Sequence, residues 1–336
     1  MAGNFERTIE DEIVDVRMKK PHVVILGAGA SRAACPSGDK NGRVLPLMAD
    51  FAACTGLTSL FESWGIDPLE NFEDTYSTLY EAGEVDKLTA LNAAVENYFG
   101  ALELPDQPTL YDHLVMSLRG NDILATFNWD PLLLQAYRRC SGHVKLPRLA
   151  FLHGNLLAGY CDNDRTLGFV GALCSQCGEA FARTPLLYPV RNKDYAKDVA
   201  ISSQWEFLQH GLEQAFMITV FGYSGPKTDK EAIDLMRGAW GSPDARSMEQ
   251  TEFITRQSEE EVSEAWTDFI HSHHYEVHDD FYRSWIAKHP RRTGEAYLSQ
   301  YLDAKFIDDN PIPKDLDFPE LFRWFRRFRA AEDTGA

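Results

Sequence analysis

The 336-residue chain is short of positive charge: 33 Lys and Arg stand against 51 Asp and Glu, a formal charge of −18. A field of that sign repels polyphosphate backbones, which are normally held by clustered Lys and Arg, so direct binding of nucleic acid is not expected. The one basic cluster, "RWFRRFRA" near the C-terminus, reads as the cationic end of a last helix. Long apolar runs are missing too. Nothing approaches the roughly 18 residues a membrane-spanning helix needs, so no membrane partner is expected. The opening "MAGNFERTIEDEIVDVRMKK" lacks the apolar centre of a secretory signal, which points to the cytoplasm. Cysteine is scarce. Six in a chain this long (Cys35, Cys54, Cys140, Cys161, Cys174, Cys177) read as reduced thiols rather than a disulfide scaffold, and only Cys174 and Cys177 are closely spaced.

What is present is enough apolar material, 44% of residues, for one large domain with or without a smaller one. After a charged tail over 1–20, "HVVILGAGASRAAC" gives an unbroken apolar run at 23–26, a glycine turn and helix-compatible residues. That is the strand, turn and helix start of an α/β fold, with the strand covered on both faces. Strand signals fade over about 45–118. There Leu88, Leu91, Ala94, Val95 and Phe99 repeat at helical spacing, which predicts a helical insertion. They return in "DILATFN" (122–128), "LAFLHG" (149–154) and "FMITVFGYS" (216–224), and Trp205, Leu208, Leu212 and Ala215 predict a helix feeding the last of these. Alternation of this kind implies a Rossmann-like, mostly parallel sheet with helices on both faces. Ligands of such sheets bind beyond the carboxyl ends of the strands. A Gly, Pro and Ser cluster at 238–247 marks a boundary, giving a domain over 21–240 and a C-terminal helical region over 241–336.

Polar residues collect at those strand ends, and each has a bland reading beside the functional one. Gly27 and Gly29 would let a backbone approach a pyrophosphate, but Arg32 stands where the dinucleotide fingerprint wants a third glycine, and a tight turn capped by Ser31 fits as well. Asp130 before Pro131 reads as a helix cap, and Asn128 as a turn residue. His153 is the only histidine ending an apolar strand; alone it would be a hydrogen-bonded core residue. "HSHHYEVH" (271–278) lacks the Glu-containing i, i+4 zinc pattern and reads as a solvated helix end or interface.

Taken together, "GAGAS" (27–31), "TFNWD" (126–130), "LHG" (152–154) and "FGYSGPKTD" (221–229) stand in the order and spacing of the sirtuin family. Over about 21–240 the chain most resembles the bacterial sirtuin-like proteins that destroy NAD in anti-phage defence. The resemblance implies NAD as substrate, cleaved at the nicotinamide–ribose bond by an NAD glycohydrolase. Asn128 would orient water and His153 would accept a proton. Gly27, Ala28, Gly29 and Ser31 would line the pyrophosphate, Asp130 would contact the nicotinamide carboxamide or ribose, and Gly222, Ser224 and Asp229 would hold the adenosine half. It also implies control, through a homo-oligomer or a complex with a sensor such as an ATPase or nucleotide-processing protein. A non-catalytic sensor of NAD or ADP-ribose and a protein deacylase are the alternatives. Deacylation is disfavoured because "RAACPSGDKNGRVLPLM" replaces the Gly-Ile-Pro-Asp-Phe-Arg loop of the deacylating members, and Phe127 stands where they carry glutamine. Their zinc module has two Cys-x-x-Cys pairs. Here one pair plus Cys161 falls one ligand short, with Asp162, Asp164 or a distant histidine able to complete the set, and no metal is expected.

Overall fold

A computed structural model describes residues 5–190, 195–226, 229–246, 248–270 and 274–335. Its strands in chain order are β1 (Glu6–Arg7), β2 (His22–Leu26), β3 (Ile123–Thr126), β4 (Arg148–Phe151), β5 (Ala158–Cys161), β6 (Thr166–Phe169), β7 (Ala182–Arg183), β8 (Met217–Phe221), β9 (Gln250–Ile254), β10 (Tyr275–His278) and β11 (Phe306–Ile307). Six of them form one sheet in the order β10-β9-β8-β2-β3-β4, and every pairing in it is parallel. Counted along the chain this is the 3-2-1-4-5-6 order of a doubly wound Rossmann sheet, with its switch point between β2 and β8. The apolar run at β2 is explained by its place there. Val24 and Leu26 belong to one core, and Val23 and Ile25 to the other, all essentially without solvent exposure.

One face is covered by the helices Val199–Gln214, Lys230–Trp240 and Glu259–Ala265, which bring Trp205, Leu208, Leu212, Met236 and Trp240 onto the sheet. The other face carries the helices expected between β2 and β3, including Phe72–Glu81, Val85–Gly100 and Leu110–Ser117, and the C-terminal helix Phe318–Thr334. Leu91, Val95 and Phe99 are the buried stripe of the insertion, and "RWFRRFRA" does lie in the last helix, where Phe325 and Phe328 are buried. The region read as helical beyond 240 also supplies two strands of the main sheet, β9 and β10. "YEVH" is therefore an edge strand and not a helix end; His271 and His273 of that cluster lie outside the described residues. His278 sits between Glu252 and Glu276. Burial works against its charge, but those two carboxylates raise it to about 9. Among the described residues no helix is long and apolar enough to cross a membrane.

Candidate functional site

The sheet register brings the strand-end motifs to one level. Leu26 pairs with both Thr126 and Phe221, and Thr126 pairs with Phe151. Asn128 and His153 are thus each two residues past the same rung of adjacent parallel strands. The loops that carry them are stitched together. Asn155 Nδ2 donates to the carbonyls of Asp130 (2.6 Å) and Asn128 (3.4 Å), and Leu156 N donates to Trp129 O. Gly154 makes the turn at φ +77, where a Cβ would stand 2.0 Å from Pro185 O.

On the β2 side the chain crosses the β8 loop backbone to backbone. Gly27 N donates to Phe221 O and Gly29 N to Gly222 O, both at 3.0 Å. A Cβ on Gly27 would meet Gly222 O at 2.5 Å, and one on Gly222, at φ +64, would meet Ala30 N at 2.2 Å. These glycines permit the crossing, and two of the donors expected to face a pyrophosphate are engaged by carbonyls of the neighbouring loop. Ala28 and Gly29 are half-buried and Ser224 is exposed at the rim.

Asn128 is held by a directional chain of hydrogen bonds. Its Nδ2 faces the Gly27 carbonyl (2.8 Å) and Ser31 Oγ (2.9 Å). A carbonyl only accepts, so the amide nitrogen must be the buried atom and Oδ1 the one turned away. Ser31 donates its proton to Asp130 Oδ2 at 2.6 Å, so its lone pairs receive Asn128 and the Tyr111 hydroxyl (2.7 Å). Tyr111 is set on the first turn of Leu110–Ser117 by the Thr109–Asp112 capping box. Burial, and next the charge of Asp130, keeps its phenol well above the ordinary value and protonated. The helix Leu132–Cys140 has Pro131 and not Asp130 at its N-cap; Asp130, one residue earlier, accepts from Leu132 N through Oδ1 and orients Ser31 with Oδ2. Burial raises the Asp130 carboxyl above its usual range, against the bonds from Ser31 and Leu132. Both oxygens of Asp130 thus act on the protein, behind Asn128.

His153 belongs to a second chain. Its Nε2 lies 2.8 Å from Tyr195 OH, which donates to Asp229 Oδ1 at 2.7 Å, and Tyr223 OH donates to Asp229 Oδ2 at 3.1 Å. Phe127 stacks on Tyr223 (4.2 Å between centroids) and meets His153 edge-on (4.8 Å). The aromatic that replaces glutamine therefore packs on two members of this second chain. Tyr111, Asn155, Tyr195 and Tyr223 were not singled out from the sequence; Tyr111 and Tyr195 lie far from any strand end and carry no local pattern.

Beyond β4, the small antiparallel sheet β6-β5-β7 carries Cys161, Asp164, Cys174 and Cys177, whose ligand atoms all lie within 4.8 Å of one another. Cys161 Sγ is 3.4 Å from Cys177 Sγ, and Asp164 Oδ2 is 3.2 Å from Cys174 Sγ and 3.7 Å from Cys161 Sγ. A tetrahedral zinc with Zn–S near 2.3 Å has ligand–ligand edges of about 3.8 Å, so this set fits one. The ligand missing from the cysteine count is supplied by Asp164, correcting the expectation that the set falls short. Four protein ligands leave no open position, so such an ion would be structural.

No family model matches the chain, and no curated protein matches it. Among solved structures it is similar to a Sir2–p53 peptide–NAD+ complex (13% identity, TM-score 0.39, 88% of this chain and 96% of the other). It is also similar to a Sir2 homologue–NAD complex (16%, 0.33, 95% and 93%) and to an ADP-ribose complex of a Sir2 homologue mutant (16%, 0.36, 95% and 95%). At these identities and scores the likeness carries no inference about what this chain binds or does.

Proposed function

We propose that the chain binds NAD across the carboxyl ends of β2, β3, β4 and β8 and hydrolyses its nicotinamide–ribose bond. The observation that carries this reading is the placement of Asn128 and His153 at one level of two adjacent parallel strands, each oriented by its own hydrogen-bonded chain. Nicotinamide leaves as a neutral pyridine and needs no acid. The site has instead to stabilise an oxocarbenium-like ribose and deliver water to C1′. An amide oxygen held outward suits the water or a ribose hydroxyl, and an imidazole suits the proton. Gly27, Ala28 and Gly29 border the pyrophosphate, and Gly222 and Ser224 the adenosine half. Ser31 and Asp130 work through Asn128.

An uncontrolled enzyme of this kind would empty its host of NAD. The proposal therefore includes control by self-association or by a sensor partner, and a role in anti-phage defence. Nicotinamide release should be followed with the purified protein alone and with its neighbouring gene products. Asn128→Ala and His153→Ala are each expected to lower the rate by about 100-fold or more. Activity surviving in both variants would remove this mechanism, and tight NAD binding without turnover under any trigger would favour a sensor instead.

A further inference from the structure

A phenol carries one proton, and in Tyr195 that proton is committed to Asp229 at 2.7 Å. Burial, and next the Asp229 charge, pushes the phenols of Tyr195 and Tyr223 upward, so both stay protonated and Asp229 accepts from both. The Tyr195 oxygen then has only lone pairs left to offer. Its 2.8 Å contact with His153 Nε2 requires the ring to donate. A neutral imidazole with its proton on Nε2 has its basic lone pair on Nδ1. Three separate segments build this line: the turn after β4, the stretch before Val199–Gln214, and the N-cap of Lys230–Trp240. Ring packing fixes it, with Tyr195 near-parallel to His153 (12°) and against Trp205 at 4.5 Å.

We propose that Tyr195 and Asp229 are positioning residues that hold His153 as the Nε2–H tautomer, so that Nδ1 is the atom that takes the proton in NAD hydrolysis. This rests on the reading of the site given above. In the step, the water oxygen bonds to C1′ as the C1′–N bond breaks and its electron pair goes to the nicotinamide ring. One water proton passes to His153 Nδ1 and later to solvent. NAD+ and water thus give nicotinamide, ADP-ribose and one proton. The Asp229 carboxylate, acting through Tyr195 and directly across the 3.8 Å from its Oδ2 to Nε2, stabilises the imidazolium formed on the way. Asp229 therefore serves His153 and not the adenosine half of NAD.

The test uses the full chain labelled with 15N-histidine, with His153→Gln to assign the resonances. The expected spectrum shows His153 with Nε2 protonated and Nδ1 carrying no proton. Tyr195→Phe, which keeps the ring packing, should turn this into a mixture of tautomers, and Asp229→Asn should do the same by freeing the Tyr195 proton. In the hydrolysis assay both variants should lose about tenfold or more in kcat, with KM for NAD changed less than about twofold, a fraction of what a general base supplies. A wild-type His153 protonated on Nδ1, or a tautomer unchanged in Tyr195→Phe, would overturn the proposal even if nicotinamide is released. A fixed Nε2–H tautomer in a protein that never releases nicotinamide would instead overturn the hydrolase reading and this catalytic use with it.

Discussion

Ser31 has a single proton, and its donation to Asp130 decides what the hydroxyl can do for its neighbours: it accepts from Tyr111 and Asn128. Removing it leaves the Asp130 oxygen and an Asn128 N–H without that partner in a largely dehydrated place. Ser31→Ala is expected to lower kcat for nicotinamide release about tenfold, equivalent to ~1.4 kcal/mol of lost orientation, and to lower stability by about 1–3 kcal/mol in urea unfolding. A variant with unchanged kcat would show that the Asn128 amide is held without Ser31. At this scale the sequence was partly legible. Asn128, Asp130, His153 and the glycines lie within a few residues of strand ends, where apolar runs stop and polar residues become conspicuous. Tyr111 and Tyr195 come from an insertion helix and a connecting loop, so their approach to the site is a product of tertiary packing with no trace in local pattern.

Among the elements, β2, β3 and β8 were readable because strands buried on both faces must be continuously apolar, and the edge strand β4 from the apolar run at 149–152 that follows exposed Arg148. β9 and β10 were not, because "QTEFI" and "YEVH" carry polar groups into the interior and satisfy them there. Glu252 accepts from Thr219 and from Trp285 N, and Glu276 from Trp285 Nε1. His22 closes the row between Thr219 and Thr293; burial holds its pKa near 4, so it is neutral. The three-stranded sheet presents the converse case. Its strands are only two to four residues long, and the Cys161, Asp164, Cys174 and Cys177 cluster offers a metal cross-link between the segments that join them. The purified protein is expected to contain one zinc per chain by elemental analysis, and Asp164→Ala should lose most of it and melt at lower temperature. Full metal content in Asp164→Ala would remove Asp164 from the ligand set.

Across the molecule, the last helix and the C-terminal end of Leu110–Ser117 are tied through two fully buried arginines, Arg291 and Arg292. Glu332 accepts from Arg291 Nε and Nη2 and from Arg292 Nη1 at 2.6–2.8 Å. Arg291 in turn donates to the carbonyls of Met116, Ser117 and Leu118. Removing one partner of such a group leaves buried charge uncompensated, so Glu332→Ala is expected to cost about 3–5 kcal/mol of folding stability. Burial works to raise the Glu332 carboxyl, but the hydrogen bonds and charges of Arg291 and Arg292 outweigh it and hold it below its ordinary value. Its contribution is full above about pH 4.5 and fades as pH falls through the lowered folded value. Acid unfolding should therefore begin at higher pH with Glu332→Ala only through the general loss of stability, with a shallower dependence on pH than in the parent. The ladder between β3 and β4 has a consequence of another kind. With Asn128 and His153 each counted two steps from one shared rung, their relative height is set by the register of β3 on β4, and a one-residue slip of that register would offset them by ~3.3 Å. A length change on either strand would also part Asn128 from Gly27 and Ser31, or His153 from Tyr195, so neither side of the site tolerates one.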